Sequence, residues 1–128
     1  MIFDASSIYR AIELNAIEKL ANEKTVNLCF YELGNAIWKQ IMKKNISLEE
    51  GIELVKTLSK ILSLMDVLPL DLNLVVLKIS EKYNLSYYDA SYLYAAHKFN
   101  DAIVSEDEKL LKIAKKYKIK WYKIGDLI

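Results

Sequence analysis

At 128 residues and 53% hydrophobic, the chain is long enough to bury one sizeable core and too short for two domains of ordinary size, so residues 1–128 are read as one domain. The lone proline, three glycines and single cysteine exclude a flexible linker, a low-complexity tail and an intramolecular disulfide, and Cys29 inside an apolar run fits a reducing cytoplasm. A net charge of +1 excludes a global field that would gather nucleic acid, and no basic leader or bilayer-length apolar stretch is present, so no membrane partner is expected.

Residues 1–4 read as a short buried strand ending in Asp4, and a helix follows over about 7–22 with a break near Asn15. Residues 25–30, β-branched and aromatic, predict a second strand, and Leu33, Ala36, Ile37 and Ile41 mark one face of a helix over 31–44. Ser47 with Glu50 has the spacing of a capping box and opens a helix carrying Leu54, Leu58, Ile61 and Leu62. Residues 65–70 form a third strand, which Pro69 and Asp71 stop before a helix over 72–83. Ser86 opens a helix over 87–97 whose Ala90, Ala95 and Ala96 permit close packing on a sheet. Residues 102–104, 106–117 and 119–123 read as strand, lysine-rich helix and strand. Strands joined by helical crossovers predict a parallel sheet covered on both faces, with its ligand site at the C-terminal strand ends near the point where strand order reverses.

Four carboxylates fall at such junctions. Asp4 ends the first strand, Glu32 follows the second, Asp89 sits in the first turn of its helix, and Asp107 follows the fourth strand. The sequence sets no lysine or arginine beside the first three, and acids that converge without cations call for a divalent metal. Each also has a structural explanation. Ser86 with Asp89, and Ser105 with Glu108, have capping-box spacing, which makes Asp107 a first-turn anion favoured by the helix dipole. Asp4 is harder to explain as a cap, because serines follow it at Ser6 and Ser7. Asn35 and Lys39 share the face of Glu32, opposite Leu33, Ile37 and Ile41, so Asn35 is either a supporting ligand or a solvated side chain.

Other features are weighed the same way. His97 is a helix residue rather than a ligand, and nothing suggests zinc. Lysines at 109, 112, 115, 116, 118, 120 and 123 form either a solvated face or a basic surface beside the acids. Tyr87, Tyr88, Tyr92 and Tyr94 crowd one helix, where core burial, base stacking and a homodimer surface compete.

Taken together, Ile2-Phe3-Asp4-Ala5-Ser6, Glu32 with Asn35, Tyr88-Asp89-Ala90 with Ala95-Ala96, and Val104-Ser105-Glu106-Asp107 with Leu110 resemble the PIN-domain nucleases in order and spacing. The length looks most like the toxin subunit of a VapBC-type toxin and antitoxin pair. The resemblance implies a three-layer α/β/α sandwich around a central, mainly parallel five-stranded sheet, and an endoribonuclease dependent on Mg2+ or Mn2+. By position it makes Asp4, Asp89 and Asp107 metal ligands, direct or through water, and gives Glu32 a metal water or the role of base. Ser6 and Ser105 match hydroxyl positions near the metal. It also implies an RNA substrate, a small antitoxin partner and a homodimer. Water attacking the scissile phosphorus in line, with Glu32 or another carboxylate taking its proton, would leave a 5′-phosphate and a 3′-hydroxyl. Two departures are mild: Ser105 stands where threonine is frequent, and Lys109 stands where some members carry a further acid, which bears on a second metal.

Rival classes fit less well. An aspartate-phosphatase type expects an acid at the position of Ser6, and a receiver domain lacks its paired acids. A PIN-like nuclease serving RNA processing outside a toxin system, or a non-catalytic PIN-like module binding RNA or protein, is separated from a toxin only by activity and by a partner.

Overall fold

The computed structural model describes residues 1–128. Its five strands are short: β1 (Ile2–Phe3), β2 (Lys24–Val26), β3 (Asp66–Leu68), β4 (Ile103–Val104) and β5 (Trp121–Tyr122). Six α-helices alternate with them: α1 (Ala5–Glu13), α2 (Cys29–Met42), α3 (Leu48–Ser63), α4 (Leu74–Tyr83), α5 (Tyr87–Lys98) and α6 (Glu108–Lys116). Every strand pair is parallel and the order is β3-β2-β1-β4-β5. The sheet is thus wholly rather than mainly parallel. Right-handed crossovers put α1 to α3 on one face and α4 to α6 on the other, and the packing of α1 on α2, α2 on α3, α4 on α5 and α5 on α6 agrees. This is the expected α/β/α sandwich.

The core follows from the pattern of burial. Ile2, Phe3, Val26, Ile103 and Val104 are buried in the sheet, and Ile8, Ala11, Leu33, Ile37, Leu93, Ala95, Ala96, Leu110 and Ala114 cover it. Alanines at 90, 95 and 96 let α5 lie directly over β1, β2 and β4. Gly51 serves a similar purpose between α2 and α3, since a Cβ there would meet Ile41 Cδ1 at 2.8 Å. No helix is long and apolar enough to cross a membrane.

Several boundaries differ from the sequence reading for physical reasons. The helix expected over 7–22 starts at Ala5 and stops at Glu13; the break expected near Asn15 is there, with Asn15 in the left-handed region at φ 54°, and a short 3-10 turn at Ile17–Lys19 follows it. Strand β2 ends at Val26, and Cys29 and Phe30, expected in a strand, open α2 instead. Their β propensity gives way because Cys29 packs into the core from the helix. Strand β3 stops before Pro69, which has no N–H to continue a ladder. Helix α6 begins at Glu108 with Asp107 as its N-cap, so the Ser105–Glu108 box does not form. The Ser47–Glu50 box does, with Glu50 N–H donating to Ser47 Oγ at 3.1 Å.

Candidate active site

Strand order turns back between β1 and β4, because the chain builds leftward from β1 through β3 and then returns to add β4 and β5 on the other side. A crevice at such a switch point, outside the carboxyl ends of the strands, is where ligands bind in parallel sheets. Asp4 directly follows β1 and Ser105 directly follows β4. Both are buried.

Asp4 caps α1, yet capping uses only part of it. Its Oδ1 accepts from the Ser7 N–H at 2.9 Å and from Ser6 Oγ at 2.7 Å, while Oδ2 accepts from Ser105 Oγ. The serines are held in turn. Ser6 Oγ accepts from the Glu106 N–H at 2.9 Å, Ser105 Oγ accepts from the Asp107 N–H at 3.0 Å, and Ser7 Oγ donates to the carbonyls of Asp4 and Val104. Since both hydroxyl protons point at Asp4, the 3.3 Å approach of Ser6 and Ser105 is a contact rather than a bond. A carboxylate has about four lone-pair sites, so with three donors in place one remains on Oδ2. Burial raises the Asp4 pKa, against the hydrogen bonds from Ser105, Ser6 and Ser7.

Glu32 comes from the first turn of α2, on the opposite layer from α5, and its Oε1 accepts from the Tyr92 hydroxyl at 2.7 Å. Burial pushes its pKa up to about 7, Tyr92 opposes this, and the charges of Asp4 and Asp89 add to it. Asp89 is pushed up to about 6 by burial and then by Asp107 and Asp4, against Ser86 and Lys109. Ser86 caps α5 by accepting from the Asp89 N–H at 3.1 Å, but the return bond of a capping box, from the Ser86 N–H to the Asp89 carboxylate, is absent. Asp107 accepts from the Leu110 N–H at 3.0 Å as the cap of α6. The four acids are therefore electrostatically coupled: Glu32 feels Asp4 and Asp89, and Asp89 feels Asp107 and Asp4.

The opposite end of the sheet shows what neutralised acids look like. There Lys24 Nζ lies 3.1 Å from Asp101, and although burial works to raise the Asp101 pKa, that ion pair and its neighbours hold it low. At the C-terminal edge the nearby cation is Lys109, which corrects the expectation that Asp89 has none. Its Nζ also donates to the Asn84 carbonyl at 2.6 Å. Most of the other lysines lie away from the acids: α6 runs back along the sheet, and Lys115, Lys116, Lys118 and Lys120 reach its far end. Lys123 follows β5 at the acid edge and pairs with Glu108. A basic surface flanking the acids is thus reduced to Lys109 and Lys123.

In donor type the set suits a hard divalent cation, because every candidate atom is a carboxylate oxygen. No three Asp, Glu, His or Cys side chains form a ready-made ligand cluster. The fit is accordingly to an ion that keeps several waters and takes one or two carboxylates directly, as Mg2+ does. His97 is exposed and stacks edge-on with Tyr117, and Cys29 is buried with its thiol pushed up to about 11 by burial, so neither takes part.

Asp4, Glu32, Asp89, Asp107, Ser6 and Ser105 thus meet at one edge. Asn35 lies slightly apart, in an open cleft with Glu32, Leu28, Tyr31 and Tyr88. Sequence reasoning missed two residues. Tyr92 is 1% exposed and holds Glu32, so it belongs to neither a stacking surface nor a dimer surface; its three-residue spacing from Asp89 on one helix face was the available signal. Ser7, which the sequence reading gives no role at the site, ties Asp4 to the end of β4. Of the four tyrosines, Tyr88 alone is exposed, since Tyr87 and Tyr94 are half-buried.

Residues 2–116 match the PIN domain family. Over 118 residues, 86% of this chain and 82% of the relative, the sequence is 33% identical to Exonuclease VapC9 of Pyrobaculum aerophilum. The crystal structure of PAE2754 from the same organism superposes with a TM-score of 0.82 at 28% identity, covering 98% of this chain and 84% of that one. A PilT N-terminus domain protein, SSO1118, from Sulfolobus solfataricus shares the fold with a TM-score of 0.53 at 14% identity, covering 98% and 87%. With that match spanning most of the chain and the acids gathered at the switch point of its sheet, the protein belongs to the PIN-domain family and is similar to VapC proteins.

Proposed function

We propose that the protein is a ribonuclease of the VapC type that hydrolyses RNA phosphodiester bonds internally, using Mg2+ or Mn2+ held by Asp4, Asp89 and Asp107, one or two of them directly and the rest through water. The observation that carries this reading is the convergence over the β1–β4 switch point of buried Asp4, half-buried Glu32 and Asp89 and exposed Asp107, with Lys109 as the cation beside Asp89. A divalent ion bound there would polarise the scissile phosphate and make a nearby water more acidic. Asp4, fixed by three donors, offers its remaining lone pair in one direction; Asp89 and Asp107 offer carboxylates whose helices are capped without them or by one oxygen only. Glu32, titrating near neutrality, is suited to accept the proton of an attacking water, and Tyr92 positions it. Ser6 and Ser105 orient Asp4, and Asn35 faces substrate from the adjoining cleft. Water attack at phosphorus expels the 3′-oxygen and leaves a 5′-phosphate and a 3′-hydroxyl.

The acids sit on an open sheet edge, which favours internal cleavage; the name Exonuclease VapC9 marks the other outcome for its relative. A toxin role in the cytoplasm, with a small antitoxin and a homodimer, draws support from exposed apolar side chains. Leu72, Leu74, Val75 and Leu77 crowd the start of α4, and Phe30, Trp38 and Met42 of α2 lie near Leu48, Ile52 and Val55 of α3. Such patches mark protein contacts. An antitoxin would present a basic residue to the acids.

Incubating purified protein with structured and single-stranded RNA, with Mg2+, Mn2+ or chelator, tests the activity. Internal fragments bearing 5′-phosphates are expected. Chelator-resistant cleavage, 2′,3′-cyclic phosphate ends, or full activity in Asp4→Asn and Asp89→Asn sinks the metal-hydrolysis reading, and mononucleotide products alone would replace internal by terminal cleavage. Light scattering and co-purification with a small protein encoded alongside test the dimer and the antitoxin.

A further inference from the structure

Beside the acids, where α2 faces the first turn of α5, a cleft of about 410 Å³ is lined by Leu28, Tyr31, Glu32, Asn35 and Tyr88. Tyr31 is 82% exposed and Tyr88 62%. Amphipathic α2 buries Leu33 and Ile37, so Tyr31, Glu32 and Asn35 stand on its solvent side, and Tyr88 comes to them from the other layer of the sandwich. The ring pairs of the chain, Tyr83 with Tyr117 and His97 with Tyr117, lie elsewhere and leave both rings free to stack.

Each lining group suits one kind of occupant. Aromatic rings stack on any base, an asparagine amide offers both a donor and an acceptor to a base edge, and Leu28 supplies an apolar wall. The volume is near the lower end of small-ligand pockets, about 300–1,000 Å³, which admits a nucleotide and not a duplex. Proteins that read RNA sequence do so mainly on splayed single-stranded bases. Glu32 belongs both to this wall and to the group of acids, so an occupant lies next to the reacting phosphate. Leu28 and Tyr88 also border a neighbouring hollow with Leu70 and Leu72, so the apolar surface at the start of α4 adjoins the cleft, and a second apolar surface lies along α2 and α3.

We infer that this cleft binds one unstacked RNA base adjacent to the scissile phosphate, with Tyr31 and Tyr88 as the stacking platform and Asn35 as the edge-reading group. The inference rests on the ribonuclease reading for its choice of ligand, but its test does not depend on turnover. A fluorescein-labelled single-stranded hexaribonucleotide is titrated by anisotropy in chelator against wild type, the Tyr31→Ala/Tyr88→Ala double variant and the Tyr31→Phe/Tyr88→Phe double variant, and each titration is repeated with oligonucleotides carrying one abasic position. Both positions are exposed, so the variants keep the fold, which circular dichroism checks.

Loss of ring stacking weakens binding about 5- to 100-fold in the alanine variant, while the phenylalanine variant stays within about twofold. At one position the abasic change weakens wild type by a similar factor and the alanine variant hardly at all. Equal affinity of the alanine variant and wild type, independent abasic and alanine effects, or no binding of the oligonucleotide by wild type overturns the base site. So does a changed molecular mass of the alanine variant with unchanged RNA affinity, which makes the tyrosines a protein contact. If the stacking signature is present but neither Mg2+ nor Mn2+ supports cleavage, the base site stands and the ribonuclease reading falls; cleavage by wild type and alanine variant with identical KM gives the reverse.

Discussion

Neutralising Asp89 separates a functional acid from a structural one by the sign of its effect on stability. Its carboxyl is pushed up to about 6 from an ordinary value of 3.8 by burial and by the charges of Asp107 and Asp4, and Ser86 caps its helix without it. A carboxyl whose pKa is raised on folding keeps its proton longer in the native state. Stability therefore falls as pH rises from about 4 through about 6, and above that window the native state carries the full cost of the charge. The shift corresponds to about 3 kcal/mol, and because the side chain is partly exposed, solvent screening reduces this to about 1–2 kcal/mol. Asp89→Asn should then raise the Tm of chelated protein at pH 8 by about 3–10 °C and change it little at pH 4, where the native carboxyl is protonated and the unfolded one only partly ionised. The same variant should lose RNA cleavage, and the rise in Tm expected of wild type on adding Mn2+ should be absent from it. Differential scanning calorimetry at the two pH values decides the matter. Destabilisation at pH 8, or an equal gain at pH 4, would refute the argument that Asp89 is a site acid held above its ordinary pKa.

Three further perturbations follow from the same contacts. Tyr92→Phe removes a hydrogen bond to a carboxylate, worth about 1.5–3 kcal/mol, and so raises the Glu32 pKa further; the acidic limb of the cleavage pH profile should move up by about 1–2 units, with near wild-type rate at high pH, and an unmoved limb excludes Glu32 as the base. Ser105→Ala takes the proton from Asp4 Oδ2 and the acceptor from the Asp107 N–H, at a cost of about 1–3 kcal/mol in urea unfolding, whereas an unchanged midpoint means the serine network is idle. Asp107→Asn keeps an N-cap for Leu110 and should leave stability within about 0.5 kcal/mol while cutting activity; stability and activity falling together would make Asp107 a cap alone.

Much of the architecture was legible because it rests on local physics. Alternating apolar runs and capping signals located all five strands and six helices, and the crossover rule then made the sheet parallel. Boundaries were less legible where tertiary packing overrode propensity, as at Cys29 and Phe30, which read as strand and fold as helix. The site was legible as four acids at strand-to-helix junctions, and capping motifs concealed rather than revealed them. Asp4 and Asp107 do cap their helices, so cap and site share the same carboxylate, while Asp89 sits in a capping-box position without closing the box. What the sequence could not display is contact between distant segments. Tyr92 meets Glu32 across 60 positions, Ser105 meets Asp4 across 101, and Lys109 approaches Asp89 only once α6 is docked. The direction of the lysines depends likewise on which way α6 runs, and it carries most of them away from the acids.

If the acids over the β1–β4 switch point hold a divalent cation, as proposed, Mn2+ binding followed by electron paramagnetic resonance reveals it. Titrating Mn2+ into wild type at pH 8 should deplete the free-ion signal with saturation, and Asp4→Asn, whose fold is checked by circular dichroism, should abolish that depletion. Saturable binding that survives Asp4→Asn undiminished, or no binding by wild type, would contradict the account.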